Sequence, residues 1–228
     1  MSLAANPDQI ILIDKPAGIS SFGVVAVVRR YLTRLLGRRV KVGHCGTLDP
    51  FATGLLILVS GRNTRRAGEF SGLDKVYQAT IRLGARSTTG DPEGEITELP
   101  SKPPSLERIR EVLSQFTGQI QQVPPSYSAI KVNGRRAYQL ARAGKPVALS
   151  PRTVWVYAIE LVGYSYPELV IKTKVSSGTY IRSLASDMGE RLGIGAYTVA
   201  LRRLSIGSYD VAQAHQLRTE AESGKLTL

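Results

Sequence analysis

The sequence predicts an α+β fold, a mixed and mostly antiparallel sheet flanked by helices. Three observations carry that reading. Period-two segments and short apolar runs recur along the chain, as strands require. Capped amphipathic stretches stand among them in irregular order, without the βαβα alternation of a parallel α/β fold. The 228 residues, 43% of them apolar, suffice for an ordinary buried core.

The elements follow in order. IILID (10–14) reads as a short buried strand. KPAGISS then turns, and Ser20 or Ser21 caps a helix. Its stripe is Phe22, Val25, Val28, Leu32, Leu35 and Leu36, and Gly37 ends it. Arg29, Arg30, Arg34 and Arg38 lie mainly off that stripe. GLLILVS (54–60) is a buried strand. KVYQATIRLGA (75–85) alternates, with Tyr77, Ala79, Ile81 and Leu83 on one face and Arg82 on the other. TTGDPEGE is a loop. Ser105 caps a second helix whose inward residues are Leu106, Ile109, Val112, Leu113 and Phe116. Residues 121–152, rich in Pro, Gly and Arg, read as a mobile insertion with one short helix near AYQLARA. Strands resume at TVWVYAIELVGY and ELVIKTKVS. A glycine turn then leads into a third helix, with Ile181, Leu184, Ala185, Met188 and Leu192 on one stripe. A last strand is expected near IGSYDV.

Charge narrows the function classes. The formal net charge is +12, which points to a polyanionic partner, nucleic acid first. No Asp or Glu occurs from Lys15 to Leu48, a stretch holding Lys15, Arg29, Arg30, Arg34, Arg38, Arg39 and Lys41. None occurs from Val112 to Ile159, which holds Lys131, Arg135, Arg136, Arg142, Lys145 and Arg152. Phosphates would meet such windows without like-charge penalty. One cysteine and two histidines rule out an intramolecular disulfide and leave almost nothing for a structural zinc site. No run reaches the ~20 apolar residues of a membrane span, and no signal peptide is evident, so a cytoplasmic protein without membrane contact is expected.

Residues 44–54, HCGTLDPFATG, hold a single acid, Asp49, between a basic run and an apolar one. Pro50 disfavours helix at Asp49, and Gly43, Gly46 and Gly54 permit close backbone approach. The pattern suits a catalytic carboxylate, and it also suits a turn-forming aspartate. A glycosidase-like pair would need a second acid, for which Glu69, Asp91 and Asp187 are the candidates. Tyr77 reads first as a core residue. Arg182 follows Tyr180 in GTYIRS; beside Asp49 it would hold the carboxylate ionised and oriented, and elsewhere it is a surface arginine near a helix start. His44 is either a satisfied core histidine or a residue that stacks on a base. Cys45 reads as small filler. GRRAYQLAR is a phosphate-contacting segment or an ordinary basic loop. No Walker-type or dinucleotide-binding glycine pattern is present.

Five motifs together resemble the TruB family of tRNA pseudouridine synthases: DKPAGISS, GHCGTLDPFATGLL, KVYQATIRLG, PPSYSAIKVNGRRAYQLAR and SSGTYIRSLASDMGERLG…LRRLSIG. They stand in the family's order from about Ile10 to Gly207. The resemblance implies the pseudouridine synthase fold, with a catalytic domain over 1–210 and an RNA-gripping insertion at about 124–152; the sequence departs from many bacterial relatives in that a short tail at 211–228 stands where they carry a C-terminal PUA domain. It implies Asp49 as the catalytic aspartate and Tyr77 as the tyrosine that stacks on the target base and is a candidate for the proton transfer at its C5. Arg182 matches the arginine paired with the aspartate, and Tyr180 a neighbouring pocket tyrosine. His44 matches the histidine that fills the T loop once the uridine has left it. Lys15 with Pro16 matches the floor of the site, and Leu201 its apolar wall. Lys131, Arg135, Arg136 and Arg142 fall in the gripping segment. The implied reaction isomerises uridine 55 in the tRNA T loop with no cofactor or metal, by a monomer that needs no protein partner. A non-catalytic RNA-binding module and an unrelated basic DNA-binding protein are the competing readings.

Overall fold

The computed structural model describes residues 5–132, 134–219 and 226–227. Part of the tail expected from residue 211, namely 220–225 and 228, lies outside the described residues. The elements are β1 (Ile10–Lys15), α1 (Ser21–Leu36), β2 (Val42–His44), β3 (Thr53–Ser60), α2 (Ala67–Ser71), β4 (Lys75–Leu83), β5 (Ala85–Ser87), β6 (Ile96–Glu98) and α3 (Leu106–Gln115). There follow β7 (Gly118–Gln122), β8 (Lys131–Val132), β9 (Arg135–Arg136), α4 (Ala137–Arg142), β10 (Arg152–Ser165), β11 (Glu168–Val175) and α5 (Ile181–Leu192). The chain closes with β12 (Ala196–Ile206), β13 (Tyr209–Asp210), β14 (His215–Gln216), β15 (Arg218–Thr219) and β16 (Leu226–Thr227). It divides into two compact units, residues 1–77 with 201–228 and residues 78–200. No helix among the described residues is long and apolar enough to cross a membrane.

In the first unit β3 is the central strand. β1 takes one edge of it, antiparallel, from Ile10↔Val59 to Lys15↔Gly54. The other edge is shared: β2 pairs antiparallel at Leu58–Ser60, and β12 pairs parallel at Thr53–Gly54. Both faces of β3 are covered, which is why its sequence is an unbroken apolar run. Leu56 and Leu58 pack with Ile11, Ile13 and the α1 residues Val24, Val25, Val28 and Leu32. Leu55, Ile57 and Val59 pack with Cys45, Phe70 and Ile206. Helix α1 starts where expected: Ser20 accepts from the Gly23 amide at 3.0 Å, and Gly37 closes it at φ 64°. Its inward stripe is centred on Val24, Val28 and Leu32. Phe22 is therefore not on it: two residues from Val24 is about 200° around a helix, and Phe22 is 64% exposed. Leu35, in the last turn, is exposed as well.

In the second unit the strands run β4-β11-β10-β7, with β12 beside β4. β10 is antiparallel to both β11 and β7. One sheet face presents Val154, Val156, Leu169, Ile171 and Val175, and all five are buried. The buried residues of α3 are Ile109, Val112 and Leu113, and those of α5 include Ile181, Leu184, Ala185 and Met188. Leu106, expected inward, is exposed at the first position of α3. A Cβ on Gly189 would lie 2.2 Å from the Ala196 amide nitrogen, so α5 meets the start of β12 at a distance only glycine permits. Trp155 and Tyr157, on the other face of β10, are exposed and stacked, with centroids 6.5 Å apart.

The mixed, mostly antiparallel sheet agrees with the expectation. Several strands were not expected, and three of them matter most for the sheet. β2 and β7 are strands where loop or insertion was expected. β12 spans eleven residues, AYTVALRRLSI, where only a strand near IGSYDV was expected. Its paired arginines break the apolar pattern, yet Arg203 is 1% exposed and points inward. Within 123–151 the elements are short: the two-residue strands β8 and β9, and α4, where a short helix was expected.

Candidate active site

The Asp49 loop joins β2 to β3, and its shape follows from how each end is held. Lys15, the last residue of β1, is completely buried. Its ammonium donates to the carbonyls of Pro16 and Ile19, each at 2.8 Å, and of Pro50 at 3.1 Å. The Gly18 amide donates to the same Pro50 carbonyl at 2.9 Å. The Ser21 hydroxyl donates to the Leu48 carbonyl at 2.9 Å and accepts from the Leu48 amide at 2.8 Å. The KPAGISS turn is thereby stitched to residues 48–50 on both sides of Asp49. Asp49 itself is half-buried, and its carbonyl accepts from the Ala52 amide at 3.2 Å, closing a turn. Lys15 was counted with the basic surface; being buried, it belongs to the floor of this loop instead.

At the neck of the loop stands Arg203. It donates to the Leu55 carbonyl at 2.7 Å, to Gly46 at 3.2 Å and to Thr47 at 3.5 Å. Sequence reasoning missed it; the signal that was available is an arginine on a strand whose neighbours alternate inward. His44 lies close enough to feel its charge. Burial first, and the Arg203 charge second, push the His44 imidazole below its ordinary pKa, so the ring is neutral near neutral pH. Its Nδ1 is buried without a hydrogen-bond partner among the described residues. Lys75 is a third cation in this region. Its ammonium donates to the carbonyls of Ser71 and Leu73, and burial together with Arg203 lowers its pKa to about 8. Burial pushes the Cys45 thiol up to about 11, as befits filler. Tyr77 is buried on β4, and Leu201 is buried on β12, its carbonyl 3.5 Å from the Thr53 hydroxyl.

The second unit holds the other polar centre. Arg182, in the first turn of α5, is 4% exposed and not the surface arginine of the alternative reading. It meets the Asp91 carboxylate at 2.9 Å and donates to the carbonyls of Thr89 at 2.8 Å and Tyr127 at 2.7 Å. Asp91 also accepts from the Thr89 hydroxyl at 2.5 Å and the Glu93 amide at 3.0 Å. Tyr180 is half-buried, and its backbone is gripped by the buried Gln122 amide, which accepts from Tyr180 N at 2.8 Å and donates to Tyr180 O at 3.0 Å. The role of Asp91 as partner of Arg182 and that of Gln122 were not foreseen. Glu69 is exposed and paired with Arg66. Burial, then the Glu190 charge, raise Asp187.

Lys131, Arg135, Arg136, Arg142 and Lys145 are exposed on the segment between β7 and β10, and Arg152 is exposed at the first position of β10. Arg142 lies over the Tyr138 ring at 5.8 Å, an arrangement that also suits a base or phosphate. Among the described residues, no group of three or more His, Cys, Asp or Glu is placed to hold a metal ion. What the loop presents is one carboxylate on a backbone held at residues 48 and 50 by Ser21 and Lys15.

Comparison with known proteins agrees. Residues 33–181 match the TruB family pseudouridylate synthase N-terminal domain, and residues 182–223 match the tRNA pseudouridylate synthase B C-terminal domain. Similar relatives are named tRNA pseudouridine synthase B. That of Leifsonia xyli subsp. xyli is 49% identical over 92% of this chain and 70% of its own. That of Aquifex aeolicus is 44% identical, over 92% and 72%. Among solved structures, a Cbf5-Nop10-Gar1 complex superposes with a TM-score of 0.69 at 29% identity, covering 93% of this chain and 53% of the solved one. An H/ACA RNP bound to a substrate RNA containing 2′-deoxyuridine gives 0.65 at 27% identity, with 91% and 50% coverage. A pinned single-carboxylate loop, the pseudouridine synthase architecture and these matches lead to one conclusion: the chain belongs to the TruB family of pseudouridylate synthases.

Proposed function

We propose that this enzyme converts uridine to pseudouridine at position 55 in the T loop of tRNA, with Asp49 as its catalytic aspartate. The observation that carries the reading is the Asp49 loop: one carboxylate, held from both sides by buried donors, in a chain whose relatives are named for this reaction. In the reaction the glycosidic C–N bond breaks, the uracil turns, and a C–C bond forms to the same sugar. No atoms are gained or lost, so the residues present suffice without a cofactor. Asp49 serves as a nucleophile at the sugar or as a base promoting glycal formation. The family resemblance assigns Arg182 as the arginine paired with the catalytic aspartate, Tyr77 as the stacking residue, Tyr180 and Leu201 as pocket residues, and Lys15 as the support of the floor.

The target base is stacked within a folded loop and must be extruded, at a cost of a few kcal/mol. A neutral His44 suits the space the base leaves, because an uncharged ring stacks at a smaller desolvation cost than an imidazolium. Lys131, Arg135, Arg136 and Arg142 supply phosphate contacts, so affinity falls steeply with salt. The enzyme acts as a cytoplasmic monomer.

The test uses an unmodified tRNA transcript in buffer without metal or cofactor. Pseudouridine is mapped by carbodiimide adduct and primer extension. A stop at the T-loop uridine is expected with wild type and none with Asp49→Ala, whose tRNA affinity stays within about tenfold because phosphate contacts are separate. Turnover by Asp49→Ala removes the assignment.

A further inference from the structure

Arg203 has no role in the reading above, yet its surroundings are unusual. It is a fully buried guanidinium, and among the described residues no carboxylate pairs with it. Its partners are three backbone carbonyls. Two of them, Gly46 and Thr47, precede Asp49, and one, Leu55, follows it. These lie at a gap in the sheet. β2 covers the edge of β3 from Leu58 onward, and β12 covers it only at Thr53–Gly54. Between them the Ile57 carbonyl is taken by the Cys45 amide at 2.8 Å, and the Leu55 carbonyl by the Arg203 side chain. The guanidinium thus replaces a missing strand neighbour and at the same time reaches the opposite arm of the loop.

The backbone of Arg203 is equally constrained. A Cβ on Gly54, at φ 102°, would lie 2.2 Å from the Arg203 carbonyl oxygen. Main chain and side chain of one residue therefore fix both ends of a single loop. Burying a cation without an acid costs several kcal/mol of desolvation, which carbonyl contacts return only in part. A purely structural plug would be apolar.

We propose that Arg203 is a positioning residue for catalysis: its planar fork closes the neck of the Asp49 loop and fixes where the aspartate stands, without touching substrate. This rests on Asp49 being the catalytic aspartate. A lysine keeps the charge but not the fork, and methionine keeps neither. The clamp and the charge can therefore be separated. Losing the clamp lowers the chemical step in both variants. Losing the charge releases His44 only in the methionine variant, since Arg203 is one cause of its lowered pKa.

The experiment measures single-turnover rates and tRNA affinity for Arg203→Lys and Arg203→Met, with Asp49→Ala in parallel. Proton NMR of the His44 ring, assigned with His44→Gln, follows its titration. Both Arg203 variants are expected to lose about 10–100-fold in rate, the cost of ångström-scale misplacement, with tRNA Kd within about threefold. The His44 pKa moves up in Arg203→Met and stays low in Arg203→Lys. Rates within about twofold of wild type in folded variants, with Asp49→Ala inactive, overturn the proposal alone. Activity in Asp49→Ala overturns the reading beneath it. If neither variant folds, native-state hydrogen exchange of the wild type decides. The Cys45, Leu48 and Ala52 amides must then exchange as slowly as the β3 core, and fast exchange there overturns the clamp.

Discussion

Among the described residues each unit buries one arginine, and the two are satisfied in different ways. Arg182 meets a carboxylate: Asp91 stands 2.9 Å away, with both side chains about 95% buried. Arg203 meets only carbonyls. The first arrangement is a neutralised pair whose strength lies in its being complete. The second leaves a net positive charge inside the protein, and that charge is felt by its neighbours His44 and Lys75. A buried ion pair resists the loss of either partner. A buried lone cation instead sets the protonation of whatever lies around it.

The largest effect should come from breaking the pair. Asp91→Ala takes the carboxylate away from the buried Arg182 guanidinium, at a cost of about 3–5 kcal/mol. Urea denaturation at neutral pH measures it; a loss below about 1 kcal/mol would place Asp91 outside the support of Arg182. The second effect sharpens the other half of the comparison. The Lys75 pKa falls from 10.5 to about 8 on folding. Between those values the unfolded chain binds more protons than the native one, so the Lys75 contribution to stability rises with pH across that window. The rise is on the order of 3 kcal/mol. It is read as the difference between wild type and Lys75→Met, and it should shrink when Arg203 is replaced by Met. A flat difference would mean that Lys75 does not titrate in this window. The smallest effect is that of His44. Its folded pKa lies below the ordinary 6.5, so protonation favours the unfolded chain, and stability falls as pH drops through and below that value. The slope is less than about 1.4 kcal/mol per pH unit for a half-buried ring. Comparison with His44→Gln across pH 5 to 7 isolates it, and an unchanged slope in the glutamine variant would exclude the histidine.

Much of this was legible in the sequence because it rests on local rules. Ser20 and Gly37 bound α1, Ser105 opens α3, and the unbroken run after Gly54 is a strand covered on both faces. Asp49 stood out as one acid among turn residues. What stayed hidden depends on contacts between residues distant in the chain. Arg203 is some 150 residues from the carbonyls it holds, and on its own strand it looks like a solvated charge. Asp91 reads as an ordinary turn aspartate until a buried arginine is known to stand beside it. The β12 strand was missed for the same reason, since the arginine at 203 conceals an alternation in which Leu201 and Arg203 are buried and Arg202 and Leu204 are not. Polar groups are poor guides to burial until their partners are known.

The exposed aromatic pair on β10 has a spectroscopic consequence. Trp155 is the sole tryptophan of the chain, and it belongs to the unit formed by residues 78–200. Its emission, read beside the stacked Tyr157, is a private signal of that unit, whereas far-ultraviolet circular dichroism sums the helices of both. Melting curves recorded by the two methods will coincide if the units unfold together and separate if one lets go first. The protein thus carries its own built-in label for asking whether the acid and the gripping segment share a single cooperative transition.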